Sequence, residues 1–139
     1  MLRRALLVLL ALAPLVAGAQ AVSREDAAAV RKVIEAQIDA FRKDDAARAF
    51  SYATSGIRDT FGTPENFMHM VRTQYAVVYR PQNVVFEAPV PVGEDQLIQP
   101  VRMTDAEGRA WLAVYPMQRG ADGVWRTNGC QIRRFGSAT

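Results

Sequence analysis

From residue 22 onward, apolar and polar positions repeat first with a helical period and then with a strand period. Between Arg24 and Lys43, Ala27, Val30, Ile34, Ile38 and Phe41 fall on one stripe, with Arg31, Glu35, Asp39 and Arg42 opposite. That division is what an amphipathic helix needs. Ser23, three residues before Asp26, supplies a capping-box variant. Gln37 interrupts the apolar arc. A buried amide needs partners, so Gln37 is either tied to a neighbouring backbone or lines a pocket. The stripe breaks at Lys43-Asp44-Asp45 and restarts in a new phase with Ala46, Ala49, Phe50 and Ala53. The shift predicts a bend, then a second short helix capped by Asp44 or Asp45 and ended by Ser55-Gly56. Thr63-Pro64-Glu65 opens a third helix: a capping hydroxyl, proline at the first helical position, an acid in the first turn. It covers residues 64–74, extending at most to 78, with Phe67, Val71, Tyr75 and Val78 on its apolar face. Arg80-Pro81 closes it, because a residue before proline disfavours α geometry.

The period then changes. Residues 83–92 alternate, placing Val84, Phe86, Ala88 and Val90 on one side. Gly93-Glu94-Asp95 turns the chain into a second strand, 96–103, where Pro100 marks an edge position or a bulge. Asp105 to Gly108 is a hairpin turn. The third strand, 109–118, is apolar on both faces: Trp111, Ala113, Tyr115 and Met117 on one, Ala110, Leu112, Val114 and Pro116 on the other. Such a strand is covered on both sides. Asp122-Gly123 makes a tight hairpin into a last strand, 124–134. Strict alternation would point Trp125 and Cys130 opposite ways. Asn128-Gly129 read as a bulge adds one residue and turns Trp125, Thr127, Cys130 and Ile132 all inward. Read as a hairpin turn, it would end the strand instead. The pattern is α+β: three N-terminal helices, then a four-stranded antiparallel sheet, in one domain over 22–135.

Export changes what charge and cysteine content mean. Arg3 and Arg4 precede an apolar run from Ala5 to Val16, followed by the small residues Ala17-Gly18-Ala19. This is the layout of a cleaved signal peptide over 1–19, with cleavage after Ala19 or Ala21. The run is well short of the roughly 20 residues that span a bilayer, so no stable membrane span is expected after cleavage. The expected location is periplasmic or secreted. The chain has 17 basic and 14 acidic residues; without Arg3 and Arg4, 15 against 14 leaves +1. No basic block remains, which argues against nucleic acid as a partner. A single cysteine forbids an internal disulfide. Inward-facing Cys130 reads as a small packed hydrophobe, not as a reactive thiol beside a base or cation.

The segments IEAQIDAFRKDDAARAFSYAT, FGTPENFMHMVRTQY, YRPQNVVF and GRAWLAVY…DGVWRTNGC resemble the bacterial family labelled domain of unknown function 4864. More broadly, the element order resembles the nuclear-transport-factor-like cone fold, with its ketosteroid isomerases, polyketide cyclases and scytalone dehydratase. The resemblance implies a sheet curled around a pocket, capped by helices, and frequent dimerisation through the sheet's outer face. It carries over no catalytic residue.

Acid–base catalysis in such a pocket needs an interior carboxylate. Glu35 and Asp39 lie on the wet side of the first helix, and most other acids sit at helix starts or turns. Only Asp44, Asp45 and Asp59, at helix joints, could face a cavity. His69 lies opposite the apolar face of the third helix. One histidine and one cysteine give no metal-ligand spacing, and no cofactor motif is present. What remains is a cavity lined by Gln37, Tyr75, Tyr79, Arg102, Trp111 and Tyr115, suited to a small amphipathic ligand. The bland alternative makes these aromatics plain core. If the Leu112 face of the third strand looked inward, Trp111 and Tyr115 would belong to a dimer interface. The expected function is non-enzymatic ligand binding or interaction, the alternative an acid–base enzyme of isomerase, cyclase or dehydratase type.

Overall fold

The computed structural model describes residues 21–136; the expected signal segment, 1–19, lies outside them. Helix α1 (Arg24–Arg42) starts where the Asp26 amide donates to Ser23 Oγ at 3.0 Å. Its stripe of Val30, Ile34, Ile38 and Phe41 is buried. Asp44 then takes a left-handed φ of 51°, which produces the expected bend. Asp45 caps α2 (Ala46–Ser51) by accepting from the Arg48 amide at 3.1 Å.

Ser55-Gly56 does not end this helix, contrary to expectation. The chain leaves α2 after Ser51 and runs extended beside the last strand, with Ala53 bridged in parallel to Thr127. The Thr54 amide donates to Thr127 O, and the Thr127 amide to Tyr52 O, both at 2.9 Å. Thr54 then caps a further helix, α3 (Ser55–Phe61). A capping threonine outweighs a glycine in the first turn, where the helix has little yet to lose. Thr63 caps α4 (Pro64–Gln74), its Oγ1 accepting from the Asn66 amide at 3.1 Å. The expected extension to residue 78 is a separate turn, α5 (Ala76–Tyr79), because Tyr75 leaves helical geometry at φ −130°.

The sheet follows four lines, broken into six strands: β1 (Asn83–Phe86), β2 (Val90–Gly93), β3 (Gln96–Thr104), β4 (Ala110–Arg119), β5 (Trp125–Thr127) and β6 (Gln131–Arg134). The long hairpin β3–β4 is central. β1 and β2 share the far edge of β3, and β5 and β6 share that of β4. Phe86 pairs with Val101 and Val90 with Ile98, so four steps on the outer line face three on β3. The other side mirrors this: Thr127 pairs with Met117 and Gln131 with Val114. Each outer line therefore carries one extra residue, and the two bulges stand level, since Gln99 pairs with Tyr115. Bulges bend and twist a strand; a matched pair curls the sheet into a half-barrel over the helices.

Asn128-Gly129 is thus a bulge and not a turn, with Gly129 at φ 100°. The first bulge corrects the expected first strand. Val84 and Phe86 face inward, but the extra residue flips the phase, and Val90 lies outward with Ile98. Pro100 is not on an edge strand. Its carbonyl accepts from Glu87 at the first bulge, and that of Pro116 accepts from Asn128 at the second. Each proline turns its donor-less nitrogen to a place where the ladder is already interrupted. The inner face carries Leu97, Gln99, Val101, Met103, Ala113, Tyr115 and Met117, all buried. Trp111 shares that face, which rules out the Leu112 face as the inner one.

Candidate functional site

Between the concave end of β4–β6 and the helices lies a cavity of about 430 Å³. Helix α1 gives it Gln37 and Phe41, α3 gives Ile57, Thr60 and Phe61, and α4 gives Phe67, Met70, Val71 and Gln74. Tyr75 and Val78 close one side, and Tyr115, Thr127, Gly129 and Cys130 form the sheet wall. Phe67 anchors the apolar side, its ring centroid 6.0 Å from Phe41, 5.6 Å from Phe50 and 5.7 Å from Phe61. No acid, lysine, arginine or histidine lines the cavity.

Three polar side chains of this wall are committed to the protein, while Gln74 and Tyr75, at its more open side, reach water. The Gln37 side-chain amide, almost fully buried, donates to Ala49 O at 3.1 Å. Both readings of Gln37 therefore hold: it ties down a backbone carbonyl and also lines the cavity. Thr60 Oγ1 donates to Gly56 O at 2.9 Å, and Thr127 Oγ1 to Tyr52 O at 3.3 Å. Tyr115 differs. It is 2% exposed, and among the described residues its hydroxyl has no hydrogen-bond partner. Burial, then the neighbouring Cys130 thiol, push its phenol well above the ordinary value, so the group is neutral.

Cys130 faces inward as expected, but it is half-buried rather than buried, because the cavity leaves its flank open. Burial pushes its thiol up to about 12. The thiolate is the nucleophile, so this thiol is inert at neutral pH.

Of the six residues expected to line one pocket, Gln37, Tyr75 and Tyr115 meet in this cavity. Tyr79 and Trp111 line a second, smaller hollow of about 310 Å³ with Arg80, Asp105 and Arg109. Arg102 lies on the other face of the sheet, paired with Glu87 and stacked on Phe135. Its register partner Leu112 is on the outer face too, and alternation along β3 forbids any other placement. The sequence pattern does not bring Ile57, Thr60 and Phe61 here, because it shows no α3, nor Met70 and Gln74 of α4, and it makes Thr127 and Cys130 plain core. The Thr54 cap was the available signal for α3.

The carboxylates and the histidine lie outside the cavity. Asp105 is buried in the β3–β4 turn. It accepts from the Glu107 and Arg109 amides, from Arg109 Nε at 2.7 Å and from the Trp111 indole at 2.8 Å. These donors hold its carboxyl well below the usual carboxylate range against the opposing effect of burial. Asp44 accepts from Tyr79 and Arg80, and Asp45 is spent on its cap. Neither they nor Asp59 line the cavity. His69 is exposed on α4. Among the described residues no cluster of metal-ligating side chains forms, and no helix is long and apolar enough to cross a membrane.

Residues 23–138 match the family described as domain of unknown function (DUF4864). A search of curated proteins finds no match. Among solved structures, the chain is similar to a ketosteroid isomerase-like protein from Erwinia carotovora atroseptica, with a TM-score of 0.53 at 14% identity, over 83% of this chain and 100% of that one. It is also similar to Aln2 from a Streptomyces species, with a TM-score of 0.54 at 16% identity, over 83% and 94%. Bd1075 of Bdellovibrio bacteriovorus aligns at 0.51 and 14% identity, over 84% of this chain and 45% of that one. Identities this low establish the shared cone fold alone.

Proposed function

The chain belongs to the DUF4864 family, and we propose that it works there by binding a small amphipathic ligand, without catalysing a reaction on it. The observation that carries this reading is the cavity itself. It has about 430 Å³ of room, phenylalanine-rich walls and a few polar groups, within the range of small-molecule sites. Its freedom from carboxylates supports binding over chemistry, because a cone-pocket isomerase, cyclase or dehydratase needs a base within reach of its substrate. Native mass spectrometry of the protein isolated from its own cell envelope tests the proposal. A retained small molecule, lost in a Met70→Trp variant that fills the cavity, is the expected result. Bare protein in both preparations, with no shift in melting temperature from a panel of neutral amphiphiles, would overturn it. Turnover abolished by Asp44→Asn, Asp45→Asn or Asp59→Asn would move the choice to an enzyme.

The layout of residues 1–19 supports export by a cleaved signal. Amino-terminal sequencing of the periplasmic protein should begin at Gln20 or at Val22; a chain that keeps Arg3 and Arg4 would remove this part of the proposal. The outer sheet face, with Val85 48% and Val90 51% exposed, is the proposed contact for a second copy.

A further inference from the structure

Buried polar groups in folded proteins are almost always satisfied, and the cavity wall contains an exception. Gln37, Thr60 and Thr127 each already donate to a backbone carbonyl. The Tyr115 hydroxyl is buried without a partner. The polar side chain beside it, Cys130, offers only a weakly accepting sulfur. Tyr115 lines this cavity and not the hollow that holds Tyr79 and Trp111. No acceptor for that hydroxyl stands within hydrogen-bond distance among the described residues, and a ligand in the cavity can supply one. The wall also offers no opposite charge to an ionised ligand. A carboxylate or ammonium entering it would shed its water against aromatic rings and neutral dipoles, with no counter-ion to meet it.

Resting on the binding reading above, we infer that the cavity takes an uncharged, largely apolar ligand carrying a hydrogen-bond acceptor such as a carbonyl oxygen. Tyr115 donates its hydroxyl to that oxygen, while the apolar body packs against Phe41, Phe61 and Phe67. The two parts divide the work. The phenylalanine wall supplies affinity without much discrimination, and the hydroxyl separates ligands of one shape by whether they bring an acceptor. A site built to bond a polar group rejects the analogue that lacks it, because the site's own group is then left unpaired.

Three probes of similar outline test this: methyl naphthyl ketone, ethylnaphthalene and naphthoate, each titrated at neutral pH into the wild-type chain and into Tyr115→Phe. In the wild type the ketone should bind about tenfold more tightly than the hydrocarbon, the scale of one added hydrogen bond, and naphthoate should bind more weakly than the ketone. In Tyr115→Phe the ketone should lose its advantage while ethylnaphthalene keeps its affinity, which also shows that the variant is folded. Equal binding of ketone and hydrocarbon to the wild type would overturn the acceptor assignment and leave the binding reading standing. Preference for naphthoate would overturn the uncharged class. Failure of both neutral probes to bind would overturn the binding reading itself, and this inference with it.

Discussion

Two side chains show how local surroundings, and not residue type, set chemical character here. A lone thiol invites a reactive role, yet burial pushes Cys130 up to about 12. Near pH 8 the native protein should react with iodoacetamide about a thousandfold more slowly than a free peptide thiol, whose pKa is near 8.5. Equal rates, read from intact mass over time, would mean that the bulge does not turn Cys130 inward. Asp105 is shifted the other way, held low by amide, guanidinium and indole donors. A carboxyl lowered in the folded state stabilises the protein above the ordinary aspartate range. That stability is lost as pH falls through this range toward the lower folded value. Asp105→Asn should therefore melt below the wild type at pH 7, with the gap closing in acid. Melting curves from neutral to strongly acidic pH check this, and a gap of constant size would sink it. Nothing in the sequence marked Asp105 as special, because its partners are set by turn geometry and not by spacing.

At the scale of elements, what could be read in advance was whatever a single segment decides for itself. The α1 stripe, the Ser23 and Thr63 caps and the Asn128-Gly129 bulge are local patterns, and the structure contains each of them. Phe41, the last member of that stripe, is 2% exposed, so Phe41→Ala should lower stability by about 3–5 kcal/mol in denaturant unfolding. What could not be read depends on a neighbour. Helix α3 exists because Tyr52–Thr54 pair with Thr127 and because Thr54 Oγ1 donates to Asn128 Oδ1 at 2.8 Å, seventy-odd residues away in sequence. The phase flip before Val90 likewise follows from the partner strand, where Pro100 leaves the ladder one donor short. Two glycines separate these cases. Gly129 holds φ 100°, and a Cβ there would meet only Ile57 at 3.8 Å. Gly129→Ala should thus lower stability by roughly 1 kcal/mol or more through backbone strain alone. Gly56 sits in α3 with open space around it and no positive φ, so Gly56→Ala should raise stability by about 0.5–1 kcal/mol. Chemical denaturation tests both signs: a loss in Gly56→Ala would mean that α3 is placed wrongly, and no loss in Gly129→Ala would mean that the bulge is.

At the scale of the whole molecule, the curl of the sheet divides its two faces between two proposed tasks. The level bulges wrap the inner face around the cavity, which is why Gln37, Tyr75 and Tyr115 meet there from three separate elements. Tyr79 and Trp111 end in another hollow. The same curl turns the outer face away from the helices, and among the described residues nothing packs across it as they do across the inner face. There the cross-strand rows Val90–Ile98–Pro116 and Pro100–Val114 form an apolar band, with Arg102, Leu112 and Arg133 as the next row. Apolar positions on both faces of β4 make it look like a strand covered twice, and among the described residues only the inner cover is present. If a second copy supplies the other, burying the exposed valines should drive association through the hydrophobic term, and arginines should lie at the rim of a two-fold contact. Val114→Lys places two like charges near the centre of such a contact without touching the cavity. It should convert a dimeric solution mass to a monomeric one while leaving probe binding unchanged. A wild type already monomeric at high concentration would refute the paired arrangement. A variant that loses ligand along with its partner would instead mean that the two faces are coupled, the outer contact holding the curl that keeps the cavity open.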